Sequence, residues 1–193
     1  MAYAKIAVAL LGAGQSMRFG GNKLETIVNG KMLGSYAADT LAGMHFGHLI
    51  AICNAESPAF QSALEARGFT TVFNTEPSAG QSHSLALAVH AAMKTDANAL
   101  LICLADMPFI TAAHISQIIA EGACEGLVAS ATGSRRLPPA LFVRSLWPSL
   151  LKLKGDQGAR GQLSGAKPVP CDAHILQDID IQDDLKYFDK LRV

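Results

Sequence analysis

The 193-residue chain carries no net charge, because its 16 Lys and Arg residues are balanced by 16 Asp and Glu residues. A chain without net charge has no broad attraction for nucleic acid or for a membrane surface. It also lacks an apolar run of about 18 residues, which excludes a membrane-spanning helix. Because 50% of its residues are apolar, it is not a disordered chain either. These absences favour a folded protein whose partner is a small molecule bound at one place.

Paired cysteine motifs are absent as well, since none of the four cysteines belongs to a CxxC pair. Buried free thiols in a reducing compartment are the simplest interpretation. The cysteines are Cys53, Cys103, Cys124 and Cys171. The opening segment, residues 1–14, lacks the small-residue cleavage site of a signal peptide, because its apolar run leads directly into glycines. We therefore expect a cytoplasmic protein.

No repeat, linker or low-complexity tract interrupts the chain, so residues 1–193 are predicted to form a single domain. Short apolar runs alternate with longer amphipathic stretches, a pattern typical of an α/β fold with a mostly parallel sheet covered by helices. Strands are predicted at residues 5–11, 48–54, 71–74, 99–104 and 126–131. Helices are predicted at residues 33–44, 58–66, 81–93, 112–121 and 183–191, with Ser82 and Thr111 as N-caps.

One zone breaks this alternation. Residues 132–165 are rich in Gly, Pro and Arg and lie between two apolar segments. In an open α/β sheet, such excursions near the carboxyl ends of strands shape the ligand crevice. We interpret the zone as a substrate-binding excursion, although its composition fits an ordinary surface loop equally well.

A glycine-rich turn, residues 12–23, follows the first predicted strand. Small residues there let backbone N–H groups approach phosphate oxygens closely. A dinucleotide fingerprint is excluded because Met17 stands where a third glycine is needed and Asn54 stands where an acidic residue is needed. The GxxxxGK[ST] phosphate loop does not fit either. What remains is a turn with two cations, Arg18 and Lys23.

A pair of fixed cations suits nucleotidyl transfer. When a triphosphate is attacked at its α-phosphorus, negative charge spreads over the non-bridging oxygens and the departing pyrophosphate, and cations together with Mg²⁺ stabilise it. Arg18 would bind the β- and γ-phosphates through its planar fork, and Lys23 would lie near the α-phosphate. A glycine-rich turn that only begins a helix, with basic residues nearby, is the alternative.

Aspartates supply the candidate metal ligands. Asp106 follows the predicted strand 99–104, where a central parallel strand meets the crevice, and it would be a hard oxygen ligand for Mg²⁺. Asp178 and Asp180 alternate on one face of a predicted short strand, with Asp183 placed to start the last helix. We favour Asp180 as the second ligand and keep Asp178 in reserve. A turn aspartate and a solvated acidic loop are the alternatives.

These residues resemble a known family. Residues 11–20 with Lys23 resemble the LAAGxSxRMGxxK signature of the nucleotidyltransferases that complete the molybdenum cofactor, within the wider sugar-phosphate nucleotidyltransferase class. Four more segments match in order: residues 80–85 resemble GxSxSL, 105–108 resemble GDMP, 155–160 resemble GDxGAR and 178–185 resemble DIDTPEDL. Together the five segments span nearly the whole chain.

The resemblance implies a Rossmann-like nucleotidyltransferase fold, three-layer α/β/α, and transfer of CMP or GMP from the nucleoside triphosphate to the phosphate of the molybdopterin cofactor, with release of pyrophosphate. Cytidylyl members tend to have LAAG and guanylyl members LAGG, and GDxGAR is also a cytidylyl trait. Ala13 therefore favours CTP, because its methyl group would crowd a purine. A GTP-using guanylyltransferase remains an alternative. A molybdoenzyme that receives the product would be a further partner.

The resemblance also implies roles for individual residues, with Arg18, Lys23, Asp106 and Asp180 as the catalytic set and Mg²⁺ as the cofactor. The implied metal ligands are Asp106 and Asp180. The implied nucleotide-binding residues are Leu11, Gly12, Ala13, Gly14, Arg18, Lys23, Gln81, Ser82, Ser84 and Asp106. The implied acceptor-binding residues are His83, Pro139, Asp156, Gly158, Ala159 and Arg160.

Some positions depart from the family pattern. Gly12 replaces the first alanine, Phe19 the methionine, and Ala105 the glycine before Asp106. Residues 135–140 stand where the family has Gly-Asn-Pro or Gly-His-Pro, which leaves the identity of the acceptor open. Two other functions therefore remain: an NAD(P)H-dependent oxidoreductase, and a nucleotide-binding chaperone or sensor without turnover. The carboxylates argue against the oxidoreductase, since hydride transfer needs no metal carboxylates. The intact set of cations and carboxylates argues against a protein without turnover.

Overall fold

The structure is a computed structural model, and it describes residues 2–14, 16, 18–155 and 160–191, without the side chains of residues 123, 124, 160 and 189–191. The strands are β1 (Ile6–Gly12), β2 (Ile27–Val28), β3 (Lys31–Met32), β4 (His48–Cys53), β5 (Thr70–Phe73), β6 (Ala99–Leu104), β7 (Leu127–Thr132), β8 (Arg135–Val143) and β9 (Lys167–Pro170). The α-helices are α1 (Leu33–Ala42), α2 (Pro58–Glu65), α3 (Gln81–Met93), α4 (Ala112–Glu125), α5 (Trp147–Leu150) and α6 (Arg160–Leu163).

Within the described residues, seven strands form one sheet in the order β5-β4-β1-β6-β8-β7-β9, and β2 pairs with β3 in a separate ribbon. The pairs β1–β4, β1–β6, β4–β5 and β7–β9 are parallel, whereas β8 runs antiparallel to both β6 and β7. The mostly parallel α/β sheet predicted from the sequence is therefore confirmed.

Burial on both faces explains why the central strands are apolar without alternation. Ile6, Val8 and Leu10 of β1 pack into one core cluster with buried side chains of α1, α2 and α4. Ala7 and Ala9 point to the other face and pack with α3, α5 and α6. A strand covered on both faces needs apolar residues at every position. The result is the three-layer α/β/α arrangement.

The second half of the chain differs from the structure predicted from its sequence. The zone 132–165 contains β8, a long antiparallel strand that was not predicted. The segment around Asp178 and Asp180 is not a strand, and the last helix is a 3-10 helix, Gln182–Leu191. Asp184, rather than Asp183, accepts hydrogen bonds from backbone N–H groups at the turn into that helix.

Of the two predicted N-caps, Thr111 is confirmed and Ser82 is wrong. The Thr111 hydroxyl accepts a hydrogen bond from the backbone N–H of His114, so it caps α4 as expected. Ser82 does not cap α3, because the N-cap position is Gly80, whose φ of 86° suits glycine. No helix among the described residues has the length and apolar character needed to cross a membrane.

Candidate active site

The carboxyl ends of β1 and β6 border a cavity of about 400 Å³, which we call the loop cavity. The glycine-rich turn forms one wall, and the first turn of α3 contributes a second. The lining residues are Leu11, Ala13, Gly14, Ser16, Arg18, Lys23, Pro77, Gly80, Gln81, Ser84, Leu104, Asp106 and Asp180. The loop cavity thus contains most of the residues to which the sequence assigns nucleotide binding.

Four charged side chains converge in the loop cavity. The Lys23 ammonium is nearly buried, with a side-chain exposure of 9%, and its Nζ lies 2.8 Å from Asp106 Oδ2 and 3.4 Å from Asp180 Oδ1. The exposed Arg18 guanidinium places Nη2 3.1 Å from Asp180 Oδ2. Residues separated by more than 150 positions in sequence therefore share one charged cluster.

Backbone hydrogen bonds bring the two aspartates together. The N–H of Ala105 donates to the carbonyl of Leu11 at 3.0 Å, which fixes the turn after β6 against β1. The N–H of Ile179 donates to the carbonyl of Asp106 at 2.9 Å, which ties the C-terminal segment to that same turn. The Asp184 carboxylate accepts the N–H of Asp180 at 2.8 Å. Asp180 is therefore held by its neighbours on both sides.

Asp178 lies close to this cluster but faces another cavity. Burial raises its pKa, and the nearby negative charges of Asp106 and Asp180 raise it further. Its side chain lines a second cavity of about 160 Å³, so the structure places Asp178 and Asp180 in different cavities.

This second cavity, which we call the apolar cavity, adjoins the loop cavity and shares Leu11, Gln81 and Leu104 with it. The zone 132–165 supplies part of its wall. Its other apolar and polar lining residues are Leu85, Ile102, Met107, Thr132, Arg135, Leu137, Pro138, Leu163, Ala173, Leu176, Gln177 and Asp178. The excursion therefore contributes to a crevice at the carboxyl ends of the strands.

Several residues assigned by sequence fall outside the two cavities. Gly12 and Ser82 are not among the lining residues, and neither are His83 and Pro139. Asp156, Gly158 and Ala159 lie outside the described residues, and so does the side chain of Arg160. Their predicted roles stay predictions.

Two buried asparagines were missed by the sequence reading. Asn54 follows β4, and its Nδ2 donates to the carbonyl of Gly14 at 3.3 Å. Asn74 follows β5, and its Nδ2 donates to the hydroxyl of Ser84 at 2.9 Å. Each asparagine begins an Asn-x-Glu sequence directly after one of two neighbouring strands, and this repeated pattern could have indicated both residues.

The family of the chain is shown by its similarity to known proteins. The profile of the MobA-like NTP transferase domain matches residues 8–169. The chain belongs to this family. As a MobA-like NTP transferase, it is a nucleotidyltransferase, which confirms the resemblance stated from the motifs.

Relatives of this MobA-like NTP transferase extend over the whole fold. The purine catabolism protein PucB of Bacillus subtilis (strain 168) is 30% identical over 183 residues, covering 88% of this chain and 89% of that protein. The structure of Rv0371c from Mycobacterium tuberculosis H37Rv superposes with a TM-score of 0.81 at 22% identity, covering 96% of this chain and 97% of that one.

Two further structures share the fold. The manganese complex of Rv0371c has a TM-score of 0.77 at 22% identity, covering 94% of this chain and 96% of that one. The nucleotidyl transferase Mth528 from Methanothermobacter thermautotroptrophicus has a TM-score of 0.79 at 18% identity, covering 97% and 96%. These structural similarities support the α/β fold of this chain.

Proposed function

We propose that this nucleotidyltransferase transfers CMP from CTP to the phosphate group of a small acceptor, with molybdopterin cofactor as the first candidate, and releases pyrophosphate. The observation that carries the proposal is the convergence of Arg18, Lys23, Asp106 and Asp180 in one cavity. Fixed cations beside carboxylates are what a metal-bound triphosphate requires.

The two cations have different tasks in this proposal. Lys23 is nearly buried and held by two carboxylates, so it presents a fixed point charge near the α-phosphate. Arg18 is exposed at 76% and contacts only one of these carboxylates, so its guanidinium is free to turn onto the terminal phosphates. The pair would stabilise charge at both ends of the bond that breaks.

The residues present fit a divalent cation such as Mg²⁺. Asp106 and Asp180 both reach Lys23 Nζ, so their hard carboxylate oxygens lie within reach of one small ion. Among the described residues no group of three or more His, Cys, Asp or Glu side chains could hold a metal ion, and Mg²⁺ usually takes one or two carboxylates together with phosphate and water. A bound cation would polarise the α-phosphate and neutralise pyrophosphate. The manganese complex of Rv0371c supports divalent-ion use in this fold.

The chemical step is an in-line displacement. A phosphate oxygen of the acceptor forms a bond to the α-phosphorus, while the bond from that phosphorus to the bridging oxygen of the β-phosphate breaks. The electron pair of the broken bond leaves with pyrophosphate, beside Arg18 and Lys23. No covalent enzyme intermediate is required.

The acceptor would lie in the apolar cavity. Because this cavity shares Leu11, Gln81 and Leu104 with the loop cavity, a ligand bound there adjoins the nucleotide. Its walls suit a ring system, and Arg135 offers a guanidinium for the acceptor phosphate.

The choice of CTP is supported by Ala13, which is buried and lines the loop cavity. A methyl group at this position narrows the space for a purine, whereas a pyrimidine needs less room. We expect Ala13→Gly to reduce the preference for CTP over GTP by about 10-fold, a change typical of one methyl group in a binding pocket.

The test follows pyrophosphate release from the purified protein with each nucleoside triphosphate, Mg²⁺ and molybdenum cofactor. We expect CTP to give the fastest release and Asp106→Asn to slow it by roughly 100-fold or more. Asp183→Asn is the matched control, because Asp183 is exposed and pairs only with Lys186 among the described salt bridges. Wild-type turnover by folded Asp106→Asn, or NADPH oxidation without pyrophosphate, would contradict the proposal.

A further inference from the structure

The side-chain amide of Asn74 is buried, although it is polar. It directly follows β5 and is 3% exposed. A buried amide destabilises the fold unless its polar atoms are paired. Here the backbone N–H donates to the carbonyl of Cys53 at 2.8 Å, Oδ1 accepts the N–H of Glu76 at 2.8 Å, and Nδ2 donates to Ser84 Oγ at 2.9 Å.

These contacts fix which way the amide faces. The backbone N–H of Glu76 is only a donor, so the Asn74 atom that meets it must be the carbonyl oxygen. Nδ2 then faces Ser84, and the Ser84 hydroxyl must act as the acceptor. Within the part of the chain that the structure describes, Ser84 Oγ donates no hydrogen bond. Its proton is therefore available to a ligand.

The Ser84 hydroxyl is placed to use that proton in the loop cavity. Ser84 lies in the first turn of α3 and lines this cavity. Asn74 follows β5, and Asp106 follows β6, which is separated from β5 by β4 and β1. At about 4.8 Å per strand, the two strand ends lie roughly 14 Å apart. Because Ser84 contacts Asn74, it lies on the β5 side of the cavity, away from the charged cluster. A nucleotide whose phosphates met that cluster would turn its nucleoside towards Ser84.

We propose that Asn74 is a positioning residue for the nucleotide. It holds the Ser84 hydroxyl as a donor to an acceptor atom of the nucleoside, such as a base carbonyl oxygen or a ring nitrogen. This inference rests on the proposed function only in requiring that a nucleoside triphosphate binds in the loop cavity, and the acceptor plays no part in it.

Asn54 provides the contrast. Its Oδ1 likewise accepts the N–H of the residue two positions on, Glu56, at 3.1 Å. Its Nδ2, however, donates to the carbonyl of Gly14, a backbone group with no proton to orient. A change at Asn54 therefore acts on the loop cavity without passing through Ser84.

The test is a double-mutant cycle on the Kd for CTP, measured by calorimetry in Mg²⁺ without acceptor. Asn74→Asp keeps an oxygen for Glu76 but turns the other oxygen towards Ser84, so the serine proton is drawn to the carboxylate. We expect Asn74→Asp and Ser84→Ala each to weaken CTP binding by about 10-fold, and the double variant to be weakened by clearly less than the product of the two effects, because only the charge of the carboxylate still acts once the serine hydroxyl is gone.

The control is Asn54→Asp, which adds the same charge and whose effect should multiply with that of Ser84→Ala. If Asn74→Asp fails to fold, Asn74→Ser preserves an oxygen for the turn but is too short to reach Ser84. Because this variant adds no charge, its loss of affinity should vanish in the Ser84→Ala background. Wild-type affinity in a folded Asn74 variant, or independent effects at the two sites, would overturn the inference while leaving the proposed function intact. A wild-type protein that binds no nucleoside triphosphate would overturn both.

Discussion

At the scale of single residues, two departures from the family pattern lie next to each other. A Cβ atom added to Gly12 would lie 3.3 Å from the Ala105 Cβ and 2.9 Å from the Phe60 ring atom Cε1. The signature that this chain resembles has alanine at the first position and glycine before the metal aspartate. In this chain the pair is reversed, with glycine at position 12 and alanine at position 105. We interpret the two departures as partly compensating, because a methyl group on either residue enters the same space between β1 and the turn that carries Asp106, a space that Phe60 and Leu24 limit as well.

This interpretation predicts coupling between the two positions. We expect Gly12→Ala to lower the free energy of unfolding by about 1–3 kcal/mol, because added atoms in a packed core force neighbours to shift. Adding Ala105→Gly should restore part of that loss, while the contact with Phe60 remains. Urea denaturation of the two single variants and the double variant measures the coupling. Strict additivity would contradict the compensation.

His114 is a second residue of interest, because its buried environment should make the stability of the fold depend on pH. It is 3% exposed, and its Nε2 lies 2.8 Å from Ser130 Oγ. Burial lowers its pKa below the ordinary value of 6.5. Below that pH the unfolded chain binds a proton that the folded protein does not, so stability falls as the pH falls from about 6.5 towards the lowered pKa.

We therefore expect the melting temperature of the wild type to decrease between pH 7.5 and 5.5 through this residue, and His114→Gln to show a shallower decrease. Thermal denaturation at several pH values gives the comparison. Parallel curves for the two proteins would show that His114 does not contribute.

At the scale of elements, the β7–β8 pair contains an irregularity that shapes the apolar cavity. The register shifts between Ala129 and Ser130, and Pro138 and Pro139, joined by a cis peptide bond, lie opposite this point. Proline has no N–H to donate, so the ladder loses hydrogen bonds there. The fully buried Ser130 hydroxyl donates instead to the carbonyl of Pro139 at 2.9 Å. Leu137 and Pro138 reach the cavity wall at this bulge.

We expect Ser130→Ala to lower the free energy of unfolding by about 1–3 kcal/mol, because the carbonyl of Pro139 and the Nε2 of His114 would be left buried and unpaired. Ser164→Ala is the matched control, since the Ser164 hydroxyl also donates to a backbone carbonyl but is exposed. Guanidinium denaturation of both variants tests this. Equal, small losses would contradict the assigned role of the buried bond.

The same elements show what the sequence could predict. The strands β1, β4, β5, β6 and β7 were predicted from their apolar runs, which in β1, β4, β6 and β7 reflect burial in the sheet. The strand β9, which is parallel to β7, was not predicted, because two of its four residues are prolines. β8 was not found, because its two prolines are typical of loops and its neighbours in the sheet cannot be inferred from local pattern. The motifs predicted Lys23, Asp106 and Asp180 as site residues, and the structure brings these side chains together. The hydrogen bond from Ile179 to Asp106 could not be predicted, because it depends on tertiary contact. Asn54 and Asn74 were missed because an asparagine after a strand usually indicates only a turn.

At the scale of the whole molecule, the cysteines report the integrity of the sheet. Cys53 on β4 and Cys103 on β6 are fully buried, whereas Cys171 is partly exposed. Burial raises the pKa of Cys53 to about 12 and also raises that of Cys103. Since the thiolate is the reactive form, both should resist alkylation in the folded protein.

We expect iodoacetamide to modify Cys171 before Cys53 and Cys103, with the two buried thiols reacting only when the protein unfolds. Mass spectrometry of peptides after increasing exposure to the reagent measures the order, and a sample in denaturant provides the control. Early modification of Cys103 would indicate that the centre of the sheet opens locally.

The insertion of β8 between β6 and β7 has a consequence for synthesis. On a ribosome, β7 emerges before both of its neighbours in the sheet, β8 and β9. The central strand β1 likewise waits for β6, more than 90 residues downstream, before its second edge is covered. A nascent chain can therefore pair β1 with β4 and β4 with β5 early, but the second edge of β1 and both edges of β7 stay without native partners until later strands have been translated.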